Sequence, residues 1–107
     1  MNISAKTAAP TTLLKATPET VHWGYLDASI EPALTISSGE RVRIECATCN
    51  PEWMPPVEDG FDILPDIVEI HKKVKKGSGN HIFTGPIYVR DAKPGDVLEV
   101  RIHEIEI

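Results

Sequence analysis

The sequence predicts a mainly β protein: a sandwich-like β domain with one short helix. Three observations carry that prediction. Val and Ile together number 20 against 6 Leu, and branched side chains suit a pleated surface better than a helix. The 9 Pro and 7 Gly are spread as punctuation, which fits short strands joined by turns. Two stretches alternate apolar and charged residues with the period of two that a half-buried strand requires.

Taken in order, residues 1–20 are rich in Ala, Thr and Ser with one compact apolar pair, Leu13-Leu14. They predict a flexible or edge N-terminal segment ahead of a domain spanning 21–107. Thr20 to Tyr25 is an aromatic patch broken by Gly24, Asp27 to Pro32 reads as a connection, and Leu34-Thr35-Ile36 follows. Ser37-Ser38-Gly39-Glu40 predicts a turn into a strand whose Val42, Ile44 and Cys46 form the buried face, while Arg41, Arg43 and Glu45 stay wet. Lys93-Pro94-Gly95-Asp96 predicts a second turn, followed by Leu98, Val100 and Ile102 alternating with Glu99, Arg101 and His103. Val42-Arg43-Ile44 and Val100-Arg101-Ile102 are identical triplets, too short a match to establish a duplication. The apolar phase then flips to Ile105 and Ile107, so a bulge or bend is expected near His103-Glu104.

One stretch has helical spacing. Pro65-Asp66 supplies a first-turn proline and an acid, Ile67, Ile70, His71 and Val74 recur at i, i+3, i+4 and i+7, and Gly77 is the expected stop. Lys72, Lys73, Lys75 and Lys76 crowd the far end, where positive charge meets the negative end of the macrodipole. A solvated helix end explains them better than an anion site in an otherwise acidic chain.

At 107 residues and net charge −5 the chain fits one small domain with a modest core and excludes a generic nucleic-acid binder. No apolar run approaches the ~20 residues of a membrane span, and Met1 to Pro10 has no secretory h-region. The expectation is a soluble, cytoplasmic protein with reduced thiols and neither nucleic-acid nor membrane partners.

Cys46-Ala47-Thr48-Cys49 has the CxxC spacing that lets two thiolates hold a zinc ion or form a redox pair. A structural zinc needs four ligands and no second CxxC exists. A redox motif should open a helix, whereas this one leaves a strand and enters Asn50-Pro51. Cys46 is therefore expected to face inward and Cys49 to lie in a loop. Of the four histidines, His71 falls on the helix's apolar stripe and reads as a packing residue. His22 precedes Trp23-Gly24 and fits either packing or a site, and His103 supports neither. His81 stands between Gly77-Ser78-Gly79-Asn80 and Ile82-Phe83-Thr84-Gly85-Pro86. A glycine-rich approach permits close backbone contact with a ligand, and an imidazole serves there as general base or metal ligand. GxSxG, P-loop, HExxH and GxGxxG signatures are missing, so residue patterns alone reach a β-rich domain and no further.

Two strings go further. Val21-His22-Trp23-Gly24-Tyr25, with Pro32-Ala33-Leu34-Thr35-Ile36 and Ser38-Gly39-Glu40-Arg41-Val42-Arg43-Ile44-Glu45, resembles the N-terminal part of the acetamidase/formamidase family. Asn80-His81-Ile82-Phe83-Thr84-Gly85-Pro86-Ile87-Tyr88-Val89, followed by Ala92 to Ile102, resembles that family's most recognisable block. The resemblance runs from Val21 to Ile107. It implies a larger β-rich amidase fold, hydrolysis of small linear amides such as formamide or acetamide to acid and ammonia, and homo-oligomers. Some relatives act on lactams.

By position in the block, the resemblance implies that His81 is a catalytic group, with Thr84, Gly85 and Pro86 as substrate-binding residues. It also implies a divalent metal such as zinc, whose ligands lie mostly outside this chain and are unknown. The family's later Gly-Asp-x-His and Gly-x-Gly-Glu type motif has no counterpart here, and members are about three times this length or more. Amide hydrolysis needs an activated water and stabilisation of an oxyanion, which His81 alone does not supply. The expectation is thus an N-terminal fragment, or one half of a split amidase, whose partners are a small amide and either the missing C-terminal half or further copies. From a different class, the alternative is a non-catalytic β-rich binding or assembly module. Ile105-Glu106-Ile107 runs apolar to the last residue, which suggests a continuation or a partner.

Overall fold

The computed structural model of the protein describes residues 11–48 and 50–107. Among these residues six three-residue strands and one α-helix follow in the order β1 (Thr12–Leu14), β2 (Val21–Trp23), β3 (Leu34–Ile36), β4 (Val42–Ile44), α1 (Pro65–Lys73), β5 (Ile82–Thr84) and β6 (Ile87–Val89), with two short 3-10 turns, Pro51–Trp53 and Val57–Asp59, between β4 and α1. The architecture is mainly β, as composition predicts. The strands form three separate pairs: β1 with β4 in parallel, β2 with β5 antiparallel, and β3 with β6 in parallel. Among the described residues no helix is long and apolar enough to cross a membrane.

Both predicted turns form. Glu40 N–H donates to the Ser37 carbonyl at 3.1 Å, and Asp96 N–H to the Lys93 carbonyl at 3.0 Å. Gly39 and Gly95 take φ of +88° and +97°, a region closed to most L side chains. In the N-terminal segment, Met1 to Pro10 lie outside the described residues, while Thr12 to Leu14 pair in register with Val42 to Ile44. Leu14 is buried and Leu13 exposed, the alternation a strand imposes.

The helix begins where expected. Proline at the start gives up an N–H that has no intrahelical partner anyway, and Asp66 sits in the first turn, with His71, Lys72 and Lys73 in the last. It ends sooner than Gly77. Val74 is already extended, at φ −84° and ψ 128°, because the chain beyond it is drawn onto β2: Lys76 bridges to Trp23, and Gly77 N–H donates to the Trp23 carbonyl at 2.7 Å. Lys73 pairs with Glu69 one turn back at 2.9 Å, and both side chains remain wet.

Among the described residues the buried apolar set is small: Leu14, Ala16, Trp23 and Ile70, of which Ile70 is wholly enclosed. The helix meets the sheet where the His71 ring lies 5.5 Å from that of Trp23.

Two strand expectations need correction. On β4, Val42 is half-buried, but Ile44 and Cys46 are exposed. Its hydrogen-bonded neighbour is β1, and among the described residues no second layer covers the face that alternation assigned to the interior. Residues 98–102 form no strand at all, with Leu98, Val100 and Ile102 each more than 70% exposed (75%, 72% and 73%). A strand is defined by its pairing, and among the described residues no backbone pairs with this one. The expected bulge at His103-Glu104 has no ladder to interrupt. Arg43 instead reaches the tail through its Nη2, 2.6 Å from Glu106 Oε2.

Candidate functional site

The site is built on the β2–β5 ribbon. Its register pairs Val21 with Thr84, His22 with Phe83 and Trp23 with Ile82. One step further, Gly24 N–H donates to the His81 carbonyl at 2.8 Å, and at the other end Gly85 N–H donates to the Thr20 carbonyl at 2.8 Å. The antiparallel ladder therefore runs through both strings that the sequence singles out. Pleat alternation puts His22, Phe83 and His81 on one face of the ribbon. The Phe83 ring stacks on His22 at 5.5 Å and stands 6.4 Å from His81.

Beside this ribbon opens a groove of ≈ 490 Å³ whose lining includes His22, Asp27, Phe83, Thr84, Pro86 and Tyr88. That is within the usual size of small-molecule sites, about 300–1,000 Å³. Thr84 and Pro86 thus meet in one concave surface, and the buried Gly85 links them with φ +137° and a cis peptide bond to the proline. His81 is exposed and stands outside this lining. The histidine in the groove lining is His22. Its sequence signal was the polar residue in the Val21 to Tyr25 string, and only cross-strand pairing could set it against Phe83.

Hydrogen bonding defines what each group offers. Thr84 Oγ1 donates to the Glu45 carbonyl at 2.7 Å, which spends its single proton and leaves only acceptor capacity. Asp27 Oδ1 accepts from both Ser29 Oγ, at 2.7 Å, and Ser29 N–H, at 2.8 Å. The hydroxyl first, and then the backbone N–H, hold its carboxyl below the usual range.

His71 lies apart from the groove. Its Nε2–H donates to the Thr48 carbonyl at 2.9 Å while the ring packs on Trp23, in agreement with a packing role. The glycine-rich approach to His81 makes its close contact with the protein itself. Gly79 N–H donates to the Gly24 carbonyl at 2.9 Å, and a Cβ on Gly79 would lie 2.9 Å from that oxygen.

The family of the chain is decided by one comparison. The acetamidase/formamidase family profile matches residues 12–107. The chain belongs to the acetamidase/formamidase family. The match starts at residue 12 rather than at Val21, and so takes in β1 as well as the β2–β5 ribbon. No curated protein and no solved structure matches the chain.

The described residues do not by themselves fit a metal ion. Among them no three His, Cys, Asp or Glu side chains converge, whereas a catalytic zinc takes three protein ligands and a water. Cys46 is a free, exposed thiol rather than an inward one, since no layer among the described residues covers that side of β4, and Cys49 lies outside the described residues. Elemental analysis is expected to find no stoichiometric zinc that disappears on changing Cys46→Ser and Cys49→Ser together. One zinc per chain that vanishes in the double variant would reverse this.

Proposed function

We propose that the protein forms the N-terminal part of a cytoplasmic amidase site that hydrolyses a small linear amide, such as formamide or acetamide, or a lactam. The observation that carries this reading is the family match over residues 12–107. The groove supports it, with a donor-capable imidazole, an acceptor-only hydroxyl at Thr84 and an apolar wall that includes Phe83 and Pro86. Gly85 and Pro86 shape the backbone against which the substrate lies. His81 lies outside the groove lining, exposed on the same ribbon face with its ring 6.4 Å from that of Phe83, and in the assembled site it is the group proposed to carry a proton between water and the leaving ammonia. Groups that activate the water, including any divalent metal, come from polypeptide beyond these residues.

Exposed Leu98, Val100, Ile102, Ile105 and Ile107 favour packing of this region against further polypeptide, either a C-terminal half or another copy. The same observation favours the second reading, a non-catalytic assembly module.

Ammonia release separates the two. The isolated chain is expected to liberate no ammonia from formamide or acetamide above a buffer control, and addition of the downstream family segment as a second polypeptide should restore turnover. In that active assembly His81→Ala should lower kcat about 10²–10⁴-fold, the usual worth of a general acid–base. His71→Ala should act mainly through stability, by about 1–3 kcal/mol. Folded His81→Ala with the parent's activity would remove His81 from the site. Robust turnover by the lone chain would overturn the shared-site proposal.

A further inference from the structure

His22 is 8% exposed, and its Nδ1 is sealed from solvent without a hydrogen-bond partner among the described residues. Buried polar atoms are almost always paired, so such an orphan calls for an explanation. Its surroundings supply one. Phe83 stacks on the ring at 5.5 Å with an interplanar angle of 26°, and the tilted Tyr25 ring lies at 5.6 Å. Neither group accepts a conventional hydrogen bond from Nδ1. A proton placed there would be a buried donor with nothing to donate to, which is rarer and costlier than an under-used acceptor. In the neutral ring the proton therefore belongs on Nε2. Because Nδ1 is closed off, Nε2 is also the atom through which the ring makes any polar contact in the groove.

We propose that His22 is a substrate-positioning residue of the groove, presenting Nε2–H as a fixed donor to the carbonyl oxygen of a primary amide. This rests on the amidase reading above and adds the polarity of the site. A primary amide carries one strong acceptor, its carbonyl oxygen, and N–H donors. The groove offers the complement: Nε2–H of His22 for the oxygen and the proton-depleted Oγ1 of Thr84 for the N–H. A carboxylate product has no N–H to give Thr84, and repulsion by the nearby Asp27 carboxylate disfavours it further. The geometry thus selects amide over acid, which promotes product release.

The test begins with the full chain labelled with ¹⁵N at histidine. Long-range proton–nitrogen correlation is expected to show His22 as the Nε2–H tautomer, and titration with acetamide should move the His22 Nε2 signal while sodium acetate at equal concentration moves it far less. Gln can place an amide N–H where Nε2–H stood, and Asn where Nδ1 stood. His22→Gln should therefore bind acetamide within about threefold of the parent, and His22→Asn about five- to tenfold more weakly, the loss of one hydrogen bond. Both variants are compared at matched circular dichroism, and the tautomer measurement on the unaltered chain needs no variant to fold. An Nδ1–H tautomer, equal response to acetate, or equal binding by the Gln and Asn variants overturns the proposal. Ammonia release with an undisturbed His22 overturns it alone, whereas loss of both acetamide binding and turnover in the assembled enzyme overturns the amidase reading with it.

Discussion

Gly24→Ala is expected to destabilise the protein by about 2–6 kcal/mol, combining backbone strain with overpacking of a closed contact. Gly24 has φ +89°, and a Cβ built on it falls 2.5 Å from the Gly79 carbonyl oxygen and 3.0 Å from Gly77 C and Gly79 N. These are backbone atoms and cannot rotate aside. Gly39→Ala is the control, since its φ of +88° is nearly the same but nothing lies within 4 Å of the added carbon. That change should lose only the left-handed strain, about 1–2 kcal/mol. Urea midpoints of the two variants at constant m give the difference directly. Equal losses would mean that the segment from Gly77 to Gly79 does not press on Gly24. Because Gly24 continues the ladder that sets His22 against Phe83, the same variant should also weaken acetamide binding in the groove.

Trp23→Ala is expected to lose about 3–5 kcal/mol, the usual result of emptying a large aromatic site. Among the described residues Trp23 is one of four buried apolar side chains, and it carries three jobs at once. It packs against His71 of α1, pairs with Ile82 across the ribbon, and donates Nε1–H to the Asn80 carbonyl at 2.9 Å. Trp23→Phe separates packing from the hydrogen bond and should cost less, since that bond is only part-buried and Asn80 is an exposed residue whose carbonyl water can reach once the indole is gone. Unfolding should be followed by circular dichroism, because Trp23 is itself a fluorophore and the other tryptophan, Trp53, is exposed. A loss below about 1 kcal/mol for the alanine variant would show that the enclosed site closes without the indole.

Local chemistry was legible wherever one short stretch settled it. The helix start at Pro65-Asp66 depends on a missing N–H and a nearby acid, and both turns depend on a glycine that can take positive φ. The packing role of His71 followed from its place on a helical stripe. The two strings of the β2–β5 ribbon were legible as family motifs, and the profile match over residues 12–107 agrees with them. What they build together was not legible. The residues around His81 drew attention because of their glycines, yet those glycines serve the approach of Gly79 to Gly24.

By itself, then, the sequence determined the mainly β class, the family, the turns and the origin of the helix, because each rests on residue types or on contacts a few positions apart. Alternation also promised buried faces for Ile44 and for Leu98 to Ile102, but a period of two says only that two faces differ. Whether either face is covered depends on a second surface arriving, and among the described residues none does for these side chains. The groove is the opposite case. His22 and Phe83 lie far apart in the chain, and cross-strand register made them neighbours. That register stacked the two rings, and the buried Nδ1 of His22 has no partner among the described residues. Tertiary structure alone decided which histidine lines the groove, because strand pairing is a long-range hydrogen-bonding choice that no local pattern encodes.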